Sequence, residues 1–185
     1  MRVRVIALGL AFVRIASAQS ATDTRLLSQP AVSSTHIAFT YAGDLWVAKQ
    51  DGSGVRQLTT ADGDEGNPAF SPDGSLIAFT GNYDGNLDVY IMPVGGGAPK
   101  RLTYHPAADI VQGFSPDGKS VLFISSRAAF TGAHAELYTV PIAGGVETQL
   151  AIPNASEGTY SPNGQRIAYN PLPQAFQQWK RYRGG

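Results

Sequence analysis

Three serines recur at one position of a repeated pentapeptide. They are Ser71 in Phe70-Ser71-Pro72-Asp73-Gly74, Ser115 in Phe114-Ser115-Pro116-Asp117-Gly118 and Ser161 in Tyr160-Ser161-Pro162-Asn163-Gly164. A serine nucleophile needs an activating base and, in a strand-to-helix elbow, a G-x-S-x-G frame. Gly113-Phe114-Ser115-Pro116-Asp117 lacks the closing glycine, and no helical pattern follows it. The same residue types are what a tight turn requires. Pro pre-sets φ, Asp or Asn bonds its own backbone, and Gly takes positive φ. The serines therefore read as turn caps, and no catalytic residue is assigned in the chain.

Asp84-x-Asn86-x-Asp88 begins like a calcium loop, but Val89 stands where Gly is needed and Gly95 where the closing Glu is needed. It reads as a loop between strands. Asp62, Asp64 and Glu65 read as a solvated acidic loop by the same logic. His36, His105 and His134 fall one to a repeat, without the short spacing of zinc ligands. Gly95-Gly96-Gly97 has no helix start behind it to supply a dipole, so a hairpin is expected rather than a phosphate cradle. No metal and no cofactor is expected. Lys180, Arg181 and Arg183 alternate with Trp179 and Tyr182. Basic and aromatic groups together can bind single strands of nucleic acid. The chain is otherwise neutral, with 14 basic and 14 acidic residues, and nucleic acid is not expected as a partner. Two readings stay open: a long loop anchored by its aromatics, or basic groups that meet peptide carboxylates. Lys180, Arg181 and Arg183 are the candidate contacts for the second.

The elements that carry these residues repeat. Residues 67–103 read as four short strands, each ended by turn chemistry: 68–71, 76–80, 87–92 and 100–103. Ser71 to Ser115 is 44 residues and Ser115 to Ser161 is 46. The rest of the unit keeps phase: Ile77-Ala78-Phe79 returns as Val121-Leu122-Phe123 and Ile167-Ala168-Tyr169. A worn earlier copy holds Ile37-Ala38-Phe39-Thr40 and Asp44-Leu45-Trp46-Val47. A period of about 40–45 residues is that of a propeller blade. The expected fold is all-β: a β-propeller of four-stranded antiparallel blades, with repeats at about 30–64, 67–106, 111–153 and 158–185. Phe70, Ile77, Phe79, Val89 and Ile91 are expected to pack against Phe114, Val121, Phe123, Leu137 and Val140 of the next repeat.

Residues 1–18 read as a signal peptide. Arg2 and Arg4 precede an apolar stretch, and Ala16-Ser17-Ala18 is a small-residue cleavage site. The apolar run is too short for a membrane span, which needs about 20 residues. Export, to a periplasm, is expected; a cytoplasmic protein is the alternative if the segment is no signal. Residues 19–29 are expected as a linker. Cysteine is absent, which excludes disulfides and a thiol nucleophile. A ring needs about four to eight blades. About three and a half are legible of an expected six, so the chain is expected to be the front of a longer protein.

The repeats resemble the TolB-type, PD40-like (WD40-like) propeller repeat. More narrowly, the chain resembles the N-terminal β-propeller of the tricorn protease family. The carrying segments are Asp44-Leu45-Trp46, Lys100-Arg101-Leu102-Thr103-Tyr104, Leu137-Tyr138 and Trp179-Lys180-Arg181-Tyr182-Arg183-Gly184-Gly185. The resemblance runs from Arg25 to the end. It implies a large serine peptidase, a hydrolase that trims oligopeptides, with two successive propellers, a PDZ-like module and a C-terminal catalytic region beyond residue 185. In some members paired basic residues of the first propeller hold a substrate carboxylate. The corresponding loop here, residues 105–110, has no paired Arg, and that role is not assigned. The implied partners are oligopeptides and the remaining blades and catalytic domain of the same chain; a homo-oligomer is left open. Two functions stand. One is a non-catalytic propeller segment that gates or filters peptides and scaffolds a distant active site. The other is a TolB-like periplasmic interaction propeller without enzyme activity.

Overall fold

The computed structural model describes residues 27–128 and 134–171, and every regular element there is a strand. The first sheet holds β1 (Leu27–Val32), β2 (His36–Tyr41), β3 (Asp44–Lys49) and β4 (Arg56–Gln57). The second holds β5 (Glu65–Phe70), β6 (Leu76–Gly81), β7 (Asp88–Pro93) and β8 (Lys100–Arg101). The third holds β9 (Asp109–Phe114), β10 (Ser120–Ser125), β11 (Glu136–Pro141) and β12 (Thr148–Gln149). β13 (Glu157–Tyr160) and β14 (Ile167–Asn170) pair as a fourth, two-stranded sheet. All pairings are antiparallel between chain neighbours, so each sheet is a meander.

The repeated serine explains the first turn of three blades. Ser71 Oγ donates to Asp73 Oδ1 at 2.6 Å and accepts from Leu76 N at 2.9 Å. Ser115 repeats this with Asp117 and Ser120 N, and Ser161 with Asn163 and Arg166 N. The glycine that follows sits near φ +71° in each turn, a conformation that only Gly adopts without strain.

Neighbouring blades are fastened at both ends. The Arg56 guanidinium donates to the carbonyls of Val94 and Gly95, on the β7–β8 turn of the next blade. Lys100 Nζ does the same one blade on, to Ile142 O and Ala143 O at 3.0 and 2.7 Å. At the opposite end the first residues of β5 and β9 donate back to the preceding blade: Glu65 N to Gly43 O, Asp109 N to Leu87 O.

Between the sheets lies the core. Side chains alternate across a strand, so each sheet offers one face to each neighbour. Ile77, Phe79, Tyr90 and Met92 pack with Ala38 and Leu45 of the first blade. Ala78, Val89 and Ile91 pack with Val121, Phe123, Tyr138 and Val140 of the third. Leu122 and Leu137 turn to the fourth sheet with Ala155. The expectation that Phe70, Ile77 and Phe79 meet the third repeat is corrected: they face the first. Leu137 likewise faces the fourth sheet rather than the second. The strands are apolar on both faces, and only register tells which residue goes which way.

β1 opens at Leu27, inside the stretch 19–29 expected as linker, because Leu27 and Ser28 pair with Tyr41 and Thr40 beyond a bulge. Residues 1–18 lie outside the described residues. Among the described residues no helix is long and apolar enough to cross a membrane.

Candidate functional site

The first strands of the four sheets lie side by side, β1 against β5, β5 against β9 and β9 against β13. The two-residue strands β4, β8 and β12 are at the far edge of each sheet. β1, β5, β9 and β13 thus form the inner wall, and they line a groove of about 690 Å³. Its side chains include Gln29, Asn67, Gln112, Thr159 and Asn170, which are neutral, and one carboxylate, Glu157.

Two features blunt this wall as a strand template. Pro30 and Pro68 remove backbone donors from β1 and β5. Bulges interrupt both strands beside Gln29 (φ 51°) and Asn67 (φ 52°). A bulge re-aims the local backbone and breaks the run of pairing groups. Two glutamines then satisfy neighbouring backbone groups. Gln29 Oε1 accepts from Asn67 N at 2.5 Å, and Gln112 Oε1 from Gly158 N at 3.1 Å. The wall presents amides to the groove while β1 and β5 offer little edge for another strand to pair with.

Acidic residues at the start of β5 and β9 anchor one end of the wall. Glu65 is only 5% exposed, so the expected solvated loop is corrected: Asp62 and Asp64 are exposed, but Glu65 turns inward. Its Oε2 accepts from Thr59 Oγ1 at 2.5 Å and from Leu45 N at 3.2 Å. Its Oε1 and the Tyr83 hydroxyl are buried without hydrogen-bond partners, yet close enough to act on each other's protonation. Burial pushes the Glu65 carboxyl above its ordinary value of 4.5, and burial beside Glu65 pushes the Tyr83 hydroxyl up as well. A carboxyl raised in the folded state contributes stability that is full below its ordinary value and lost as pH rises through the raised one. Glu65→Gln keeps an acceptor for Leu45 and Thr59 and removes the charge. The variant's melting temperature relative to the parent is expected to climb as pH rises above the ordinary carboxyl value of 4.5; thermal melts on both sides of that value check it, and a constant difference would contradict it.

Asp109, 44 residues on, is 0% exposed and pairs with Arg127 through Oδ2 at 2.6 Å. Arg127 lies over the rings of Phe123 and Tyr138. Asp84, Asn86 and Asp88, the calcium-like stretch, are drawn together around Arg101. Its guanidinium pairs with Asp88 at 2.6 Å and Asp84 at 3.1 Å, and Asn86 Nδ2 donates to Asp88. Burial pushes the Asp88 carboxyl up against the pull of Arg101. Among the described residues no three His, Cys, Asp or Glu side chains gather as a metal site. The recurring serines are held within their own turns. His36 Nδ1 bonds the Thr35 hydroxyl, and His105 Nδ1 accepts from Ala107 N. Lys180, Arg181 and Arg183 lie outside the described residues.

The inner glutamines and the two buried acids escaped the reading of the sequence. The acids carried a signal: Glu65 and Asp109 share the 44-residue offset of Ser71 and Ser115.

Four-stranded antiparallel meanders, packed face to face with their first strands on an inner wall, define a β-propeller. The model of the tricorn protease N-terminal β-propeller domain matches residues 24–185, and the chain belongs to that family. It is 31% identical over 150 residues to tricorn protease homolog 1 of Streptomyces coelicolor, covering 80% of this chain and 14% of that protein. To putative tricorn protease homolog 2 of the same organism it is 32% identical over 169 residues, covering 86% of the chain and 14% of the relative. The chain thus spans about a seventh of the length of these relatives. Among solved structures it is similar to a putative TolB from Agrobacterium tumefaciens, with TM-score 0.68 and 27% identity over 79% of this chain and 54% of that one. It is also similar to the tricorn protease, with TM-score 0.65 and 25% identity over 75% of this chain and 14% of that one.

Proposed function

We propose that this chain is a non-catalytic propeller segment of a tricorn-like serine peptidase. It gates or filters oligopeptides and scaffolds an active site elsewhere in a longer protein. The observation that carries this is the inner wall. Four first strands line one groove, its side chains are uncharged apart from Glu157, and prolines and bulges blunt the edges of β1 and β5. Such a surface lets a polar backbone slide past without being captured as an added strand. Export through residues 1–18 to a periplasm, and contact of Lys180, Arg181 and Arg183 with peptide carboxylates, belong to the same proposal.

Narrowing the wall tests it. Thr159 is exposed on β13 and lines the groove. In a protein that carries this chain with its catalytic region, Thr159→Trp is expected to slow hydrolysis of long peptides about tenfold, a change of about 1.4 kcal/mol in the barrier. Turnover of a single-residue reporter should stay unchanged. Equal effects on both substrates, or none on either, would contradict gating.

The likeness to the putative TolB favours a second reading, a periplasmic interaction propeller without enzyme activity. The reading frame downstream of Gly185 separates the two. A PDZ-like module and a serine catalytic region support the first, and a stop after five or six repeats supports the second.

A further inference from the structure

We infer that Asn163 is a site of spontaneous deamidation, where the chain regenerates the acidic turn of its second and third blades. Asn163-Gly164 is the one Asn-Gly pair in the sequence and stands where the two preceding turns hold Asp73-Gly74 and Asp117-Gly118. Both residues are exposed, so water and hydroxide reach them. Asn163 Oδ1 accepts from Ser161 Oγ at 2.8 Å and from Gln165 N at 3.1 Å. These two donors draw charge from the side-chain carbonyl and are placed to hold the oxyanion that forms on attack. Gly164, at φ +71°, brings no side chain to shield its nitrogen.

In the reaction Gly164 N loses its proton to solvent base, giving up its bond to Ser161 O, and attacks Asn163 Cγ. The new N–Cγ bond forms as the Cγ–Nδ2 bond breaks, and ammonia leaves. Water then opens the cyclic imide to aspartate or isoaspartate. The aspartate fits the turn as it stands. Asp73 Oδ1 accepts the same two bonds from Ser71 Oγ and Ser75 N, and Asp117 Oδ1 from Ser115 Oγ and Lys119 N. The serine hydrogen bond holds the Asp73 carboxyl down at about 2, so an acid in this turn is charged at neutral pH.

The test is peptide mapping by mass spectrometry of the full chain, incubated folded and in denaturant at mildly alkaline pH. The folded chain is expected to gain the mass of an amide-to-acid exchange at Asn163, while Asn82, Asn86 and Asn154 keep their amides. Gly164→Ala should lose the conversion, and Asn163→Asp should melt no lower than the parent. Conversion in denaturant with none in the folded chain would overturn the inference, because the turn would then protect the amide. Equal conversion at all asparagines, or a lower melt for Asn163→Asp, would overturn it as well.

Discussion

Phe79→Ala is expected to remove about 3–5 kcal/mol of stability, the usual cost of emptying a buried aromatic site. Phe79 is 0% exposed between the first and second blades and stacks on Tyr90 with ring centroids 5.7 Å apart. Its neighbours Ala38, Leu45, Ile77 and Met92 come from both sheets, so the cavity opens at the blade junction itself. A loss of this size is comparable with the lower part of a domain's net stability of about 5–15 kcal/mol. Phe39 holds the equivalent place on the first blade, opposite Trp46, but is only half-buried. Phe39→Ala should therefore cost clearly less. Urea unfolding of both variants checks the pair. Equal losses, or a loss of under about 1 kcal/mol at Phe79, would contradict the blade-on-blade account of the core.

Arg127→Ala is expected to cost a similar amount, about 3–5 kcal/mol, for an electrostatic reason. It leaves the fully buried Asp109 carboxylate without its cation, and Asp109 Oδ1 already lacks a partner. It also strips the guanidinium from the faces of Phe123 and Tyr138. Lysine should be a poor substitute, since it offers a point charge in place of a planar stacking group. Replacing both partners, as Arg127→Met with Asp109→Leu, should recover most of the loss, because no unpaired charge is then buried. A double variant as unstable as Arg127→Ala would show that the ion pair is not what the junction depends on.

The repeat period and the turns were legible in the sequence because they are local. Ser71, Pro72, Asp73 and Gly74 each act within five residues, and their bonds recur at Ser115 and Ser161. Facing was not legible. Ile77-Ala78-Phe79 is buried on both sides of its strand, so the alternation that would mark a core face is absent. The bulges beside Gln29 and Asn67 shift register further, and a bulge leaves little trace in composition. Glu65 was misread because its chemistry matches that of Asp62 and Asp64 beside it. What separates them is the strand that starts at Glu65 and carries its side chain to Thr59. The inner wall was hidden for a related reason. Gln29 and Gln112 are ordinary polar residues until neighbouring strands bring Asn67 N and Gly158 N within reach.

The propeller segment is proposed to handle peptides without cleaving them. The most direct test of this is to incubate the purified chain with fluorogenic oligopeptides spanning acidic, basic and apolar sequences. The expected result is turnover no greater than that of buffer, since Ser71, Ser115 and Ser161 are held in their turns by Asp73, Asp117 and Asn163. Turnover that follows the chain through repurification and disappears when one of those serines is changed to alanine would contradict the account.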